Sequence, residues 1–324
     1  MRHTPRQASS ERRERATGRV MRHYSDDQLK DLISVPEAVA ALEAAFAAYA
    51  RGEATAQPRF TIGSGKVEIS TMSAILPPAR CCAAKVYTRM ESGYSFVVLL
   101  FSLEDGRILA TFDAGELTKL RTAAVSGLAA RYMARHDARR LVVFGSGRQA
   151  RAHVALLPKM FKLEHIDVVC RSDARAFCER ATEETGVCVT QARAEEALSR
   201  ADMIVTATSS VTPLFRAELL REGMFIAAIG SAVPTAAEIG PDTIRRCDRI
   251  VVEAIDHAEH EGGDLIQAVD AGALRWDRVL TLGDIVVGRA VGRASDREIT
   301  LFKSVGTALE DVAVAALAYE KLTS

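Results

Sequence analysis

The feature that most constrains this chain is the run Leu141-Val-Val-Phe144, which passes directly into Gly145-Ser-Gly-Arg-Gln-Ala150. Four apolar residues, two of them β-branched, read as a buried strand, and the small residues after them read as a sharp turn into a helix. Gly145 permits the tight turn, and Gly147 lets the backbone approach a pyrophosphate. Ala150 lets helix and strand pack closely, while the first helical turn offers unpaired N–H groups to an anion. Three small residues at this spacing arise often by chance, so the context carries the weight: a strand precedes them, a helix follows, and the unit closes at a second strand ending at Cys170. The sequence therefore predicts a dinucleotide held by Gly145, Ser146, Gly147, Arg148, Gln149 and Ala150.

The same alternation continues. Ile166 to Cys170, Met203 to Thr206, Phe225 to Ile229 and Arg249 to Val252 read as strands, separated by a dozen or more residues of helix or loop. That pattern predicts a Rossmann-type, doubly wound parallel sheet. Upstream the character differs. Ser25 with Gln28 and Ser34 with Glu37 have the form of capping boxes that start two helices, the second ending near Gly52. Lys66 to Ser73, Cys81 to Tyr87, Tyr94 to Phe101 and Arg107 to Phe112 read as an antiparallel sheet, followed by a long helix from Glu116 to Ala134. A last helix is expected from Lys303 to Lys321. At 324 residues the chain exceeds the usual size of one core, about 250 to 300 residues, so two domains are expected. The expected division is a leader at 1–20, an α+β substrate and dimerisation domain at 21–133 plus 300–324, and the dinucleotide domain inserted at 134–299.

Forty-two Lys and Arg balance 42 Asp and Glu, so no net field draws the chain to nucleic acid or to an anionic membrane surface, and the expected partner is a small molecule. Residues 1–20 are Arg-rich and polar, with too little apolar content to fold, and are read as a disordered leader; Met21 is an alternative start. Glu11, Glu14 and the lack of an apolar face argue against an organelle-targeting segment. The sequence shows no apolar stretch of the ~18 residues that span a bilayer and no signal-peptide core. Its six cysteines show no C-x-x-C spacing, which suits a reducing, cytoplasmic setting. No nucleophile-elbow serine, P-loop lysine or zinc-type Cys/His spacing occurs, which removes acyl transfer, P-loop hydrolysis and structural zinc. His257-Ala-Glu-His260 has the spacing of a metal pair, but Glu259 and Glu261 make it read as a solvated face or a lid, and no metal is expected.

About 20 residues after the glycines, an acid would bond the adenosine 2′-hydroxyl, whereas an Arg suits a 2′-phosphate. The chain has Arg171-Ser172 there, which favours NADP(H); Asp173 follows at once and keeps NAD(H) as the alternative.

Four segments, Leu120-Arg-Thr-Ala-Ala-Val-Ser-Gly-Leu-Ala129, Gly145 to Arg151, Val205-Thr-Ala-Thr-Ser-Ser210 and Phe302-Lys-Ser-Val-Gly306, resemble in content, order and spacing the ornithine cyclodeaminase/μ-crystallin family, from about Met21 to the C-terminus. The resemblance implies a two-domain homodimer, for which the antiparallel sheet at residues 67 to 112 is the expected dimer surface, and one of several reactions: ornithine cyclodeamination, alanine dehydrogenation or reduction of cyclic ketimines such as Δ1-pyrroline-2-carboxylate. It places Arg59, Lys85 and Arg121 around the substrate carboxylate and the reacting centre. A guanidinium can clamp a carboxylate, and a lysine can protonate an imine nitrogen. Thr122 is placed near the nicotinamide, and Thr206, Ala207, Thr208, Ser209, Gly230, Ser231, Lys303 and Ser304 along the cofactor. Asp284 matches a family segment near the substrate entrance without a role.

One departure matters for the chemistry. Where cyclodeaminases carry an Asp that activates the hydrolytic water, Gly230-Ser-Ala-Val-Pro234 places Ala232. A methyl group cannot act as a base. The expected function is therefore NAD(P)H-dependent reduction of a small imino acid to an L-amino acid, with Lys85 supplying or relaying the proton. Cyclodeamination, alanine dehydrogenation and a non-catalytic binding role are the alternatives.

Overall fold

The computed structural model describes residues 21–324, so the expected leader lies outside the described residues. Two sheets organise the chain. The first contains β1 (Arg22–Tyr24), β2 (Thr55–Ala56), β3 (Phe60–Ser64), β4 (Val67–Leu76), β5 (Cys81–Met90), β6 (Gly93–Ser102) and β7 (Ile108–Asp113), in the order β1-β7-β6-β5-β4-β2, with β3 also on β4. Only β1 runs parallel to its neighbour; the other pairs are antiparallel. Alternation along β4 and β5 sends Ser70, Met72, Ala74 and Leu76, and Cys81, Ala83 and Lys85, to one buried face. Lys85 thus points inward, in register with Met72 on β4 and Val98 on β6.

Around this sheet lie α1 (Asp26–Leu29), α2 (Val35–Ala50) and the long α3 (Gly115–Met133). Both expected capping boxes form, Ser25 with Gln28 and Ser34 with Glu37. Helix α2 ends at Ala50, and Gly52 takes the left-handed conformation, φ 74°, that turns the chain out of the helix.

The second sheet is wholly parallel. It comprises β8 (Arg140–Phe144), β9 (His165–Val169), β10 (Cys188–Gln191), β11 (Met203–Thr206), β12 (Phe225–Ala228), β13 (Arg249–Val252), β14 (Val279–Thr281) and β15 (Thr300–Lys303), in the order β10-β9-β8-β11-β12-β15-β13-β14. From β8 the chain builds outward through β9 and β10, then returns to lay β11 against the other side of β8. The switch point, where doubly wound sheets bind ligands beyond the strand C-termini, therefore lies between Phe144 and Thr206. Its connecting helices are α4 (Arg148–Leu156), α5 (Arg175–Thr185), α6 (Ala194–Leu198), α7 (Pro241–Arg245), α8 (Ile255–Glu261), α9 (Gly263–Asp270) and α10 (Leu282–Val286); α11 (Ala308–Thr323) closes the chain.

Two expectations are corrected here. The last helix starts at Ala308, not Lys303: Thr300-Leu-Phe-Lys303 is a strand between β12 and β13, so the expected boundary at residue 300 falls one strand early. A four-residue strand buried on both faces shows no alternation to mark it, whereas Thr307 and Glu310 form the capping box that does start the helix. The segment 282–286 packs on α2, since Gly283 fits against Ala50 and Phe46, although it falls inside the span expected for the dinucleotide domain. Helix α3 is mostly buried because it contacts both units: α2 and α11 on one side, α4, β12 and β15 on the other. Helix α11 returns across α3 and the inner face of β4 and β5, which brings its first turn to Lys85 and Arg121.

Candidate active site

At the switch point Gly145 has φ 109°, and a Cβ there would stand 2.5 Å from the Ala207 carbonyl oxygen, so both conformation and contact demand glycine. Gly147 caps α4 in an extended conformation, and a Cβ on it would meet nothing within 4 Å. Ala150 is fully buried, as close packing of helix on strand requires. The nine-residue α4 thus presents its N-terminus beside an open backbone approach, which fits the pyrophosphate of a dinucleotide. At the end of β9, Arg171 and Ser172 are exposed. Three donors of Arg175 bond the Asp173 carboxylate, its N–H at 3.0 Å, Nε at 3.1 Å from both oxygens and a terminal nitrogen at 2.7 Å, while Arg171 forms no ion pair among the described residues.

The loops after β11 and β12 are joined by a residue that sequence reasoning missed. Glu238, fully buried, accepts from Thr206 Oγ1 (2.7 Å), Thr208 N (2.7 Å), Thr208 Oγ1 (2.6 Å) and Gly230 N (2.7 Å). The hydroxyls of Thr206 and Thr208 are therefore committed inward, and what these loops offer the cleft comes from residues 209–211 and 229–236. Lys303 and Ser304 are also turned inward: Lys303 Nζ lies 2.7 Å from Asp264 and donates to the Ser231 carbonyl at 2.5 Å, and Ser304 Oγ donates to Glu253 at 2.5 Å. Thr122, buried in α3, donates to the Thr118 carbonyl at 2.7 Å.

A cleft of about 890 Å³ opens between the two units. One wall carries Arg59, Lys85, Tyr87, Phe96 and Arg121; the other carries Ser209, the Gly230–Ala236 loop and Glu261. Lys85 Nζ donates to Asp311 Oδ1 (2.9 Å) and Thr118 Oγ1 (2.7 Å) and stands 5.0 Å from the centre of the Phe96 ring. Arg121 donates to Glu310 (2.8 Å) and approaches Asp311 (3.3 Å). It lies so close to Gly306 that a Cβ there would meet the guanidinium at 2.6 Å. Arg59 pairs with Glu261 and donates to the Val305 carbonyl at 2.9 Å. The structure thus brings the three predicted substrate residues together in one cleft.

The electrostatics follow from burial. Desolvation pulls the Lys85 ammonium down to about 8, assisted by Arg121 and Arg59 and opposed by Asp311. Burial also opposes ionisation of Asp311, yet Lys85 and Arg121 outweigh it and hold this carboxyl below the usual carboxylate range. Glu310 is raised, by burial and then by the nearby carboxylates Glu253 and Asp311 against the pull of Arg121. A lysine whose proton is readily given up, beside a carboxylate that stays charged, can deliver a proton near neutral pH.

Of the His257–His260 motif, His257 and Glu261 are buried rather than solvated, and Glu261 belongs to the cleft; no group of metal-ligating residues occurs among the described residues. Asp284 bonds Thr281 and Arg289 and does not line the cleft. Of the residues not assigned to the site by sequence, Glu310 had a signal in the Thr307-x-x-Glu310 capping spacing and Glu261 was read only as part of a solvated face or lid; Glu238, Glu253 and Asp311 had none.

The sequence profile of the ornithine cyclodeaminase/mu-crystallin family matches residues 20–324. The chain belongs to this family. Among its relatives the alanine dehydrogenase of Archaeoglobus fulgidus is 34% identical over 311 residues, 93% of this chain and 94% of that one. The structure of the probable ornithine cyclodeaminase of Bordetella pertussis Tohama I superposes with a TM-score of 0.91 at 40% identity, covering 94% of this chain and 97% of that chain. The Thermococcus litoralis Delta(1)-pyrroline-2-carboxylate reductase, in complex with NADH and L-proline, does so with a TM-score of 0.90 at 30% identity, covering 94% and 98%. Family relatives are thus reductases, dehydrogenases and cyclodeaminases of one shared fold. No helix among the described residues is long and apolar enough to cross a membrane.

Proposed function

We propose that the protein reduces the C=N bond of a small imino acid, of the Δ1-pyrroline-2-carboxylate or Δ1-piperideine-2-carboxylate type, to the L-amino acid with NAD(P)H. The observation that carries this reading is Lys85, held by Asp311 and Thr118 in the cleft that Arg59 and Arg121 share with the loops at the dinucleotide switch point. The dinucleotide, when bound, supplies the hydride that adds to the imine carbon. Arg121, backed by Glu310 and Asp311, and Arg59 clamp the carboxylate and so fix the position of the adjacent carbon. Lys85 gives its proton to the imine nitrogen, and Asp311 stabilises the ammonium until transfer. Ala232 offers no base to activate water, which favours reduction over net cyclodeamination.

Gly145 to Ala150 are assigned to the pyrophosphate, and Thr122, Ser209, Gly230 and Ser231 to the nicotinamide side. Thr206, Ala207, Thr208, Lys303 and Ser304 shape that side from behind, through Glu238, Asp264 and Glu253. The exposed Arg171 and Ser172, with Asp173 occupied by Arg175, support NADP(H) over NAD(H). The exposed apolar residues Phe60, Ile62, Ile69 and Ile75 of β3 and β4 support a homodimer through the antiparallel sheet.

The test follows oxidation of NADPH and NADH with Δ1-pyrroline-2-carboxylate, Δ1-piperideine-2-carboxylate, and pyruvate plus ammonia, alongside ammonia release from ornithine. Imine-dependent oxidation without ornithine turnover supports the reading. Turnover of pyruvate plus ammonia alone moves the protein to alanine dehydrogenation, and ammonia with proline from ornithine overturns the argument from Ala232.

A further inference from the structure

The Arg59 guanidinium already has a carboxylate. Glu261 reaches it from the last residue of α8, on the opposite side of the cleft, and accepts from both the Arg59 side chain and its backbone N–H, the latter at 3.1 Å. Each side chain is only about a tenth exposed, 11% for Arg59 and 10% for Glu261, so the pair is shielded from the solvent that weakens surface ion pairs. Arg121 differs. Its acids, Glu310 and Asp311, come from behind, on α11, and leave its cleft side to a ligand. Glu261 instead lines the cleft with Arg59, where an incoming carboxylate must pass.

We infer that Glu261 is a specificity-determining residue that competes with the substrate carboxylate for Arg59. This rests on the reading that the cleft takes a small imino acid. Two carboxylates cannot both claim the fork, so a ligand must displace Glu261, and its apparent affinity is reduced by the fraction of time that the fork is taken. Displacement also opens the ion pair that joins residue 59 to α8 among the described residues. A carboxylate fixed on a planar sp² ring carbon replaces Glu261 oxygen for oxygen; an uncharged amide or ester does not.

The experiment titrates pyrrole-2-carboxylate, a planar carboxylate that cannot be reduced, into the full-length protein, Glu261→Gln and Glu261→Asp by calorimetry. Gln removes the competing charge, whereas Asp keeps the charge but withdraws it by one methylene. Competition predicts that Kd falls about tenfold for Glu261→Gln and about threefold or more for Glu261→Asp, with KM for the imino acid following. Weaker or unchanged binding by Glu261→Gln overturns the inference and makes Glu261 a support of the clamp. Tightening by Gln with no change for Asp overturns it too, because the effect is then diffuse repulsion rather than occupation of the fork. Absence of binding to all three proteins removes the imino-acid reading itself, and with it the inference.

Discussion

Replacing Lys85 with Met separates what this residue does for the fold from what it does for chemistry. Lys85 is 1% exposed and bonds Asp311 at 2.9 Å, so its loss leaves a buried carboxylate with a poorer partner. Breaking a buried pair from one side costs about 3 to 5 kcal/mol. Arg121 remains 3.3 Å from the same carboxylate, and Met fills most of the aliphatic space, so the expected loss lies at the lower end, about 3 kcal/mol. Turnover should fall by about 100-fold or more, the usual contribution of a positioned proton donor. The double variant Lys85→Met with Asp311→Leu removes the stranded charge and should regain most of the stability and none of the activity. Urea unfolding gives the first quantity and NADPH oxidation with the imino acid gives the second. If Lys85→Met kept turnover within about threefold of the parent, general acid catalysis by this residue would be refuted, because that role requires the larger loss.

The pH dependence follows from the same pair. Reduction should decline as pH rises through about 8, where Lys85 gives up its proton, and Asp311→Asn, which removes the charge holding that proton, should move the decline about one unit lower; a profile that Asp311→Asn leaves in place refutes the assignment. For stability the sign is opposite: the lysine pKa is depressed on folding from 10.5 to about 8, so the unfolded chain binds the extra proton between those values, and Lys85 contributes stability that grows with pH across that window, measurable by urea unfolding. Arg171→Ala should weaken NADPH about tenfold or more and leave NADH nearly unchanged, read by fluorescence titration, since a charge-assisted hydrogen bond is worth about 1.5 to 3 kcal/mol. Gly145→Ala, which forces φ 109° on an L residue and drives a Cβ to 2.5 Å from Ala207 O, should cost about 2 kcal/mol or more and abolish dinucleotide binding; a normally binding variant would show the switch point misplaced.

The parts of the fold legible in the sequence are those whose signal is local. Leu141 to Ala150 announces strand, turn and helix within ten residues, and the Ser25 and Ser34 capping boxes form because each joins groups three residues apart. β15 was missed for the complementary reason: Thr300 to Lys303 is buried on both faces, and a lysine inside it reads as an exposed helix start until Asp264 and the Ser231 carbonyl are placed around its ammonium. The cleft follows the same rule. Arg59, Lys85 and Arg121 were found through the family resemblance, not through spacing, and Lys85 alone was ambiguous because alternation permits either face; Met72 and Val98 in register beside it, and α11 above it, decide that it points inward.

The acids form the class whose partners no sequence pattern could reveal. Asp311 serves Lys85 across 226 residues, Glu310 serves Arg121 across 189, and Glu261 meets Arg59 across 202. Each pairing forms only when α11 and α8 close over opposite sides of one cleft. Their number has a consequence for the chemistry. Glu253, Glu261, Glu310 and Asp311 surround Arg59, Lys85 and Arg121, while the other charged pair lining the cleft, Arg89 with Glu68, is matched within itself, so these three cations already meet four acids before any ligand carboxylate enters. Adding a fifth acid to a desolvated group of this kind is unfavourable unless one resident acid is neutral or moves away. Glu310, raised by burial and then by its acidic neighbours, is placed to take up a proton, and Glu261, on the opposite wall, is placed to move. Recognition of an anionic substrate at this site therefore depends on its acids as much as on the three cations that the sequence pointed to first.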